Sequence, residues 1–362
     1  MTTAMILLVL ALGLAWANGA NDVSKGIAAL AGSGVAAPKA AWLLGVAGTT
    51  AGGLAAVAWG GTLGSLFGNG SLHGIPSLPV AAAFGALAGA AGFVLLATWA
   101  RWPVSTTHAL VGGIVGAAWA SFGAQAIAVH AVLKKFVAPL LFSPVAALVL
   151  CWLLIRLNRV VEARLPRWQP GCCAPEDWRR DPFCCAPSEA RPPVWQRRIW
   201  LALHWLSGGA VSFARGLNDV PKMAALALPA VIALPPLAAG SGPASTAAST
   251  AIILVSAAMA LGSLMAGRRL LPVLAEGVSA MTPSTGLLAN LGTAVLVLGA
   301  TPLGLPVSTT HVAAGSLIGV RVGDHAPPRA RDALVTILWA WCVTLPSAAI
   351  LAAAVTALAG RL

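Results

Sequence analysis

The sequence predicts an all-α polytopic membrane protein, built from two inverted-topology repeats of about five spans each with broken or re-entrant helices. Three observations predict this fold. Hydrophobic residues make up 58% of the 362 positions and charged residues only 9%, whereas a soluble domain carries about 25% charged residues. Two polar phrases occur twice, in the same order. Each half contains five apolar runs, and an odd number of spans turns the second half upside down relative to the first.

The duplicated phrases fix the correspondence between the halves. Gly-Ala-Asn-Asp-Val at 19–23 returns as Gly-Leu-Asn-Asp-Val at 216–220, and Pro-Val-Ser-Thr-Thr-His at 103–108 returns unchanged at 306–311. Equivalent residues are 197 positions apart in the first phrase and 203 in the second. Because the phrases are polar within apolar sequence, they predict two half-sites that face each other inside a membrane.

The apolar runs are long enough to cross a bilayer, which takes about 17 to 25 residues. The first run of each half contains an Asn-Asp phrase beside glycine, and Pro221 follows the second copy, so we expect a locally unwound helix there. Each Ser-Thr-Thr follows a proline, and its serine is expected to be the N-cap of the helix that begins there. The runs lie at 3–36, 39–60, 79–100, 104–123 and 130–155, and again at 199–234, 244–266, 284–303, 307–322 and 332–358.

These runs divide the chain into a first membrane repeat (1–155), a polar cytoplasmic connector (156–198) and a second, inverted repeat (199–362). Nine arginines lie in the connector, and since cytoplasmic loops collect Lys and Arg, we expect the connector inside and both termini outside. The sequence has no basic face interleaved with aromatic residues, so the lipid bilayer rather than nucleic acid is the expected partner. A multi-pass protein of the cell (inner) membrane is predicted. The connector also holds four cysteines to which no function is assigned: Cys172, Cys173, Cys184 and Cys185.

Few acidic residues lie in the apolar runs. Five of the ten belong to the connector and two to a short loop, which leaves Asp22, Asp219 and Glu276. Placing a carboxylate at bilayer depth is unfavourable by about 2.5 to 3.5 kcal/mol. Two such carboxylates at equivalent positions therefore indicate that they serve a function. Glu276 either pairs with the nearby arginines or contributes to a cation site.

Ser-Thr-Thr at a helix start offers three hydroxyls together with the unpaired N–H groups of the first turn, at the positive end of the helix dipole. Two copies approaching from opposite sides would surround a tetrahedral anion. The alternative is ordinary capping or helix–helix hydroxyls, which the identical duplicate disfavours. The predicted anion-binding residues are Ser105, Thr106, Thr107, Ser308, Thr309 and Thr310.

The Asn-Asp phrases supply amide, carboxylate and main-chain oxygens, which suit Na⁺, and a carboxylate can alternatively take up a proton. The candidate cation or coupling residues are therefore Asn21, Asp22, Asn218 and Asp219, which would be metal ligands if the ion is Na⁺.

Basic residues beside these phrases offer a structural alternative. Asp22 would pair with Lys25, and Asp219 with either Lys222 or Arg215. His108 and His311 close the second phrase, where an imidazole either shuttles protons or packs as a hydrogen-bonded residue.

These phrases resemble the inorganic phosphate transporter (PiT) family, secondary transporters that move phosphate with a cation through an inverted duplication. The resemblance covers most of both halves but not the connector. It implies that the six Ser and Thr residues bind phosphate, that the Asn-Asp residues line the cation and phosphate sites, that no cofactor is needed beyond the coupling ion, and that the protein is a homodimer. The chain departs from the family at Lys25 and Lys222, where many members have Asn, and at Arg215, where many have His.

The lysines bear on the coupling ion, because an ammonium beside each aspartate would occupy the electrostatic role of Na⁺. We therefore expect the lysines either to contact the anion or to make the coupling ion a proton. The predicted function is the import of inorganic phosphate by Na⁺- or H⁺-coupled symport with alternating access. A sulfate permease on the same scaffold is the alternative, since sulfate only accepts hydrogen bonds whereas monohydrogen phosphate also donates one.

Two other classes fit the sequence less well. Ser105, His108 and Asp22 have the residue types of a nucleophile, a base and an orienting group. The same types recur symmetrically in both halves, whereas an active site needs one asymmetric set, so the sequence predicts that the protein is not an enzyme. A channel would need a continuous pore, and broken helices with paired sites favour a carrier.

Overall fold

The computed structural model describes residues 1–69, 78–127, 129–164, 194–234, 245–269, 271, 282–324 and 330–360. In these ranges every regular element is a helix. A short 3₁₀ turn follows α5, and a π turn at Leu133–Val137 joins α6 to α7. The helices are α1 (Thr2–Gly32), α2 (Pro38–Trp59), α3 (Gly61–Asn69), α4 (Val80–Trp99), α5 (Thr106–Phe122), α6 (Val129–Val132), α7 (Ala138–Arg164), α8 (Val194–Ile232), α9 (Ser245–Ala266), α10 (Pro283–Ala300), α11 (Thr309–Asp324) and α12 (Ala330–Ala359).

Every predicted span contains a helix, and the all-helical membrane class is confirmed. Seven segments in the described ranges are long and apolar enough to cross a membrane. The predicted spans outside that set are α5, α8 and α11. α5 has 17 residues and α11 has 16, because both begin inside the protein. α8 is long, at 39 residues, but its mean hydropathy is lowered by the polar phrase it carries.

The first helices of the two halves, α1 and α8, run antiparallel to each other. Asn18 of α1 contacts Asp219, Gly26 faces Ser212, and Leu30 faces Gly208, so residue numbers rise along α1 as they fall along α8. Equivalent helices that run in opposite directions are related by a two-fold axis that crosses them. This geometry supports the predicted inversion of the second repeat.

Small residues interlock the two halves. Gly112 and Gly116 of α5 pack against the backbone of α12, and their equivalents Gly315 and Gly319 of α11 pack against the backbone of α7. Two further contacts also pair a helix of one half with a helix of the other: α1 packs on α9, and α8 packs on α2. Since a membrane offers little hydrophobic drive between helices, close backbone approach at small residues supplies much of the packing. The largest buried apolar cluster accordingly joins helices of both halves.

The expectation of an unwound Asn-Asp segment is wrong. α1 is helical from Thr2 to Gly32 and α8 from Val194 to Ile232, through both phrases. The flanking glycines serve packing rather than unwinding, because a Cβ on Gly19 would lie 2.9 Å from Ser263 N and one on Gly216 would lie 2.7 Å from Gly53 N. The first repeat is instead interrupted between α2 and α3, at the buried Gly60.

The helices continue into both ends of the predicted connector. α7 extends to Arg164 and α8 begins at Val194. The four connector cysteines and Glu276 lie outside the described residues.

Candidate functional site

The two Ser-Thr-Thr phrases meet in the interior of the protein. The ring centroids of His108 and His311, in the first turns of α5 and α11, lie 4.2 Å apart. These histidines occupy equivalent positions in the duplicated phrase, so the two halves of the chain contact each other at matching residues. The six predicted anion-binding side chains are all buried: Ser105, Thr106, Thr107, Ser308, Thr309 and Thr310.

The predicted serine N-caps are present in both halves. Ser105 Oγ accepts a hydrogen bond from the His108 backbone N–H at 3.2 Å, and Ser308 Oγ accepts one from His311 at 3.3 Å. Ser105 Oγ also lies 2.9 Å from Nδ1 of His108. The serines are therefore held by the helix ends, which leaves the threonine hydroxyls as the more adaptable donors.

Lys25 joins the two repeats. Its ammonium pairs with Asp22 and donates to the carbonyl oxygen of Val104 at 2.6 Å. It also donates to Thr310 Oγ1, in the opposite repeat, at 2.5 Å.

Lys222 repeats this pattern from the other side. Its ammonium pairs with Asp219 at 3.2 Å, donates to the carbonyl of Val307 at 3.0 Å, and crosses to Thr107 Oγ1 at 2.9 Å. Each lysine thus neutralises its own aspartate and holds the last threonine of the other half. The predicted pairing of Asp22 with Lys25 is present, and Asp219 takes Lys222 rather than Arg215.

Asn18 lies beside the two carboxylate oxygens that the lysines do not bind, Oδ2 of Asp22 and Oδ2 of Asp219. Its Nδ2 donates to Asp22 Oδ2 at 3.1 Å and to Thr106 Oγ1 at 2.9 Å, and lies 3.5 Å from Asp219 Oδ2. One amide therefore links both aspartates to a threonine of the predicted anion cradle.

Arg215 occupies, in α8, the position equivalent to Asn18. Its Nη2 and Nε donate to Thr49 Oγ1 at 2.9 and 3.3 Å. Its Nη1 lies 3.4 Å from Asn18 Oδ1 and 3.5 Å from the Asn18 carbonyl, and Nη2 lies 3.8 Å from the sulfur of Met259. The guanidinium of Arg215 is thus in contact with Asn18, the residue that links both aspartates to Thr106.

Within the described residues, the motif asparagines accept no hydrogen bond through their amide oxygens. Asn21 Nδ2 donates to Thr98 Oγ1 at 3.0 Å and to the Trp102 carbonyl at 3.1 Å, while Asn218 Nδ2 donates to the Val307 carbonyl at 3.1 Å. The Oδ1 atoms of both residues are buried and unpartnered. Unpaired buried acceptors are uncommon, and these two are hard oxygen donors of the kind that bind Na⁺.

The structure thus gathers all the predicted site residues around the contact between the repeats, and adds three that sequence reasoning missed: Asn18, Thr49 and Thr98. Asn18 could have been found from its spacing of 197 from Arg215, the same offset that relates the Asn-Asp phrases. Thr49 and Thr98 lie on other helices, and no pattern in the sequence marks them.

A cavity of about 300 Å³ opens beside this network, between α1, α4 and α9. It reaches Thr98, the hydroxyl that Asn21 contacts, but its walls are mostly apolar, so it does not match an anion site. Its lining residues are Trp16, Leu95, Thr98, Trp99, Met265, Ala266 and Arg269.

Comparison with known proteins gives a consistent result. Residues 18–352 match the model of the phosphate transporter family. A Mycobacterium bovis protein named a probable low-affinity inorganic phosphate transporter is 27% identical over 354 residues, which cover 96% of this chain and 76% of that protein. A Pyrococcus horikoshii protein named as a phosphate permease is 25% identical over 401 residues, covering 96% of this chain and 95% of the relative.

A solved structure has the same fold. The sodium-dependent phosphate transporter superposes with a TM-score of 0.82 and covers 100% of both chains, at 22% sequence identity.

Proposed function

Because the chain belongs to the phosphate transporter family, we propose that it imports inorganic phosphate across the cell membrane by cation-coupled symport, with alternating access between its two repeats. The observation that carries this proposal is the symmetric crossing of Lys25 to Thr310 and of Lys222 to Thr107. A carrier of this kind places its substrate site where two repeats meet and can move against each other. The buried polar network lies at such a boundary.

Phosphate would bind between the first turns of α5 and α11. The threonine hydroxyls and the N–H groups of these helix starts supply donors, and the helix dipoles favour an anion there. Lys25 and Lys222 are already bonded to hydroxyls of the cradle, so either ammonium can turn from a hydroxyl to a phosphate oxygen. Hydrogen bonds between charged partners are roughly twice as strong as neutral ones.

The coupling ion is the second part of the proposal. The free Oδ1 atoms of Asn21 and Asn218 fit Na⁺, but Asp22 and Asp219 each already have a lysine against them. Sodium would have to displace an ammonium from its carboxylate, whereas a proton would not. The lysines therefore favour a proton as the coupling ion.

Alternating access would follow from the symmetry of the contacts. Opening the site to either side requires the hydrogen bonds between the halves to separate, and the contacts made by Lys25 are repeated by Lys222. Two states that differ by exchange of equivalent repeats then have similar energies, which a carrier needs in order to cycle.

The proposal keeps the division into repeats at 1–155 and 199–362 with the connector at 156–198 inside the cell. It also keeps a homodimer, which chemical cross-linking of the purified protein in detergent would test. The carrier makes and breaks no covalent bond.

Uptake of labelled phosphate into proteoliposomes, with Na⁺ and pH gradients imposed separately, tests the function. We expect saturable uptake that a pH gradient drives without Na⁺, and that unlabelled phosphate inhibits more strongly than sulfate. Strict dependence on Na⁺ with indifference to pH would contradict proton coupling. Labelled sulfate uptake that excess phosphate does not inhibit would instead identify a sulfate permease.

A further inference from the structure

The cavity between α1, α4 and α9 opens at the surface of the helix bundle. Three of its lining side chains are exposed, with relative exposures of 40% for Leu95, 80% for Trp99 and 73% for Met265. They belong to α4 and α9, two of the helices that are long and apolar enough to cross a membrane. In a bilayer this opening therefore faces lipid rather than bulk water.

The buried end of the cavity suits an apolar chain. Trp16 and Thr98 line it, and Thr98 is 4% exposed. The Thr98 hydroxyl accepts from Asn21 Nδ2 at 3.0 Å and donates to the Val94 carbonyl at 2.7 Å, so it already serves as both donor and acceptor. A polar ligand gains little from such a hydroxyl, whereas a hydrocarbon chain needs no hydrogen-bond partner.

A guanidinium lines the open end of the same cavity. Arg269 is exposed in the turn that follows α9, and it forms no ion pair within the described residues. Arg268 precedes it, and Arg101 lies in the turn after α4. The sequence has no acidic residue at 23–161 or at 220–275, so neighbouring carboxylates in the chain do not offset these three positive charges.

We propose that this cavity binds an anionic phospholipid, with the lipid phosphate against Arg269 and one acyl chain running between Leu95 and Met265 towards Trp16. Arginine suits the phosphate because its planar guanidinium donates two parallel hydrogen bonds. The exposed indole of Trp99 is typical of the depth at which lipid headgroups lie. Basic residues just beyond the end of a span attract anionic rather than zwitterionic lipids.

The bound lipid would contact both halves of the chain. α1 and α4 belong to the first repeat and α9 to the second, and the acyl chain would pack against Thr98, the hydroxyl to which Asn21 donates. The proposed orientation, with the connector inside the cell, puts the ends of α4 and α9 on the cytoplasmic side, so the lipid is one of the inner leaflet.

Native mass spectrometry of the delipidated full-length protein in detergent tests the headgroup contact. The probes are phosphatidylglycerol and phosphatidylcholine with the same acyl chains. We expect the wild type to bind phosphatidylglycerol about fivefold more tightly, the effect of roughly one basic residue beside an anionic lipid, and Arg269→Gln to bind both lipids alike. Arg164→Gln, at the exposed end of α7, is the control and should keep the preference. A wild type without this preference, or an Arg269→Gln variant that retains it, would overturn the proposal.

A second pair of variants tests the position of the acyl chain. Leu95→Trp places a larger ring in the cavity, whereas Leu96→Trp adds the same ring at an exposed neighbour that does not line it. We expect Leu95→Trp to weaken the binding of both lipids about fivefold or more, since overpacking costs at least this much. Leu96→Trp should bind them as the wild type does, and equal affinities in the two variants would refute the proposed path of the chain.

The same spectra separate the lipid from the other possible occupants. Glycerophosphoglycerol, which is the headgroup without its chains, should not displace phosphatidylglycerol at equal concentration. Displacement would assign Arg269 to free phosphate esters and contradict a lipid site. A dimer that is lost in Leu95→Trp while lipid binding is unchanged would assign the cavity to a second copy of the chain, which also overturns the proposal.

Discussion

The ammonium of Lys25 donates to the hydroxyl of Thr310 at 2.5 Å, although the two residues belong to opposite repeats. The contact closes the anion cradle with a cation that the protein supplies itself. In the proposed alternating access, an ion pair that also binds across the contact between the repeats would link the charge of the site to its conformation, and this link can be tested by removing the cation.

Replacing Lys222 by Gln should create a response to sodium. The substitution leaves Asp219 buried without its partner, and breaking such a pair costs about 3 to 5 kcal/mol unless another cation enters. Since Asn218 Oδ1 is free nearby, Na⁺ is expected to fill the place. We expect Na⁺, compared with choline, to raise the Tm of this variant and to stimulate its phosphate uptake.

The exposed Lys39 supplies the control for that experiment. Lys39→Gln removes the same charge at the exposed start of α2 and should respond to Na⁺ as the wild type does. If Lys222→Gln unfolds at the same temperature in both salts, the ammonium does not stand in for a bound cation.

Replacing Thr107 or Thr310 by Val removes one hydroxyl with little change of shape. Each hydroxyl accepts from a lysine of the opposite repeat, and hydrogen bonds to charged groups contribute about 1.5 to 3 kcal/mol. We expect each variant to raise the KM for phosphate about tenfold or more. Thr50→Val is the matched control, because in the described part of the chain its hydroxyl bonds only to the carbonyl of Val46 in its own helix. Equal KM values for all three variants would remove the threonines from the anion site.

Hydropathy and duplication predicted the positions of the helices and the gathering of the two phrases, because both follow from what a membrane tolerates. The prediction that the helices unwind at Asn-Asp was wrong, because a glycine permits either unwinding of its helix or close packing against a neighbouring helix. Only the neighbours of Gly19 and Gly216 decide between these uses.

The site partners could be predicted only in part. Residues at i+3 and i+4 share a helix face, so spacing alone could not choose between Lys222 and Arg215 for Asp219. The contact of Arg215 with Thr49 lies between α8 and α2, and contacts between helices leave no periodic signal in a single sequence.

The packing of Gly216 predicts an intolerance to alanine. A Cβ there would lie 2.7 Å from the Gly53 N and 2.9 Å from the Thr49 carbonyl carbon, so α8 would have to move away from α2. Overpacking of this kind costs about 1 to 3 kcal/mol, and we expect a lower Tm or loss of folded protein. Gly92→Ala is the control, because no atom of the described residues lies within 4 Å of its added methyl group. A Tm no lower for Gly216→Ala than for Gly92→Ala would contradict the close approach of the two helices.

Asn18 and Thr106 should act as one unit in phosphate binding. Asn18 Nδ2 donates to Thr106 Oγ1 at 2.9 Å and to Asp22 at 3.1 Å, so losing either partner already disturbs the contact with the other. In a double-mutant cycle of Asn18→Ala with Thr106→Val, we expect the effects on the KM for phosphate to deviate from additivity by about 0.5 to 3 kcal/mol. A parallel cycle of Asn18→Ala with Thr50→Val should be additive, since among the described residues Thr50 Oγ1 bonds only within α2. Additivity in both cycles would mean that Asn18 orders the helices without shaping the anion cradle.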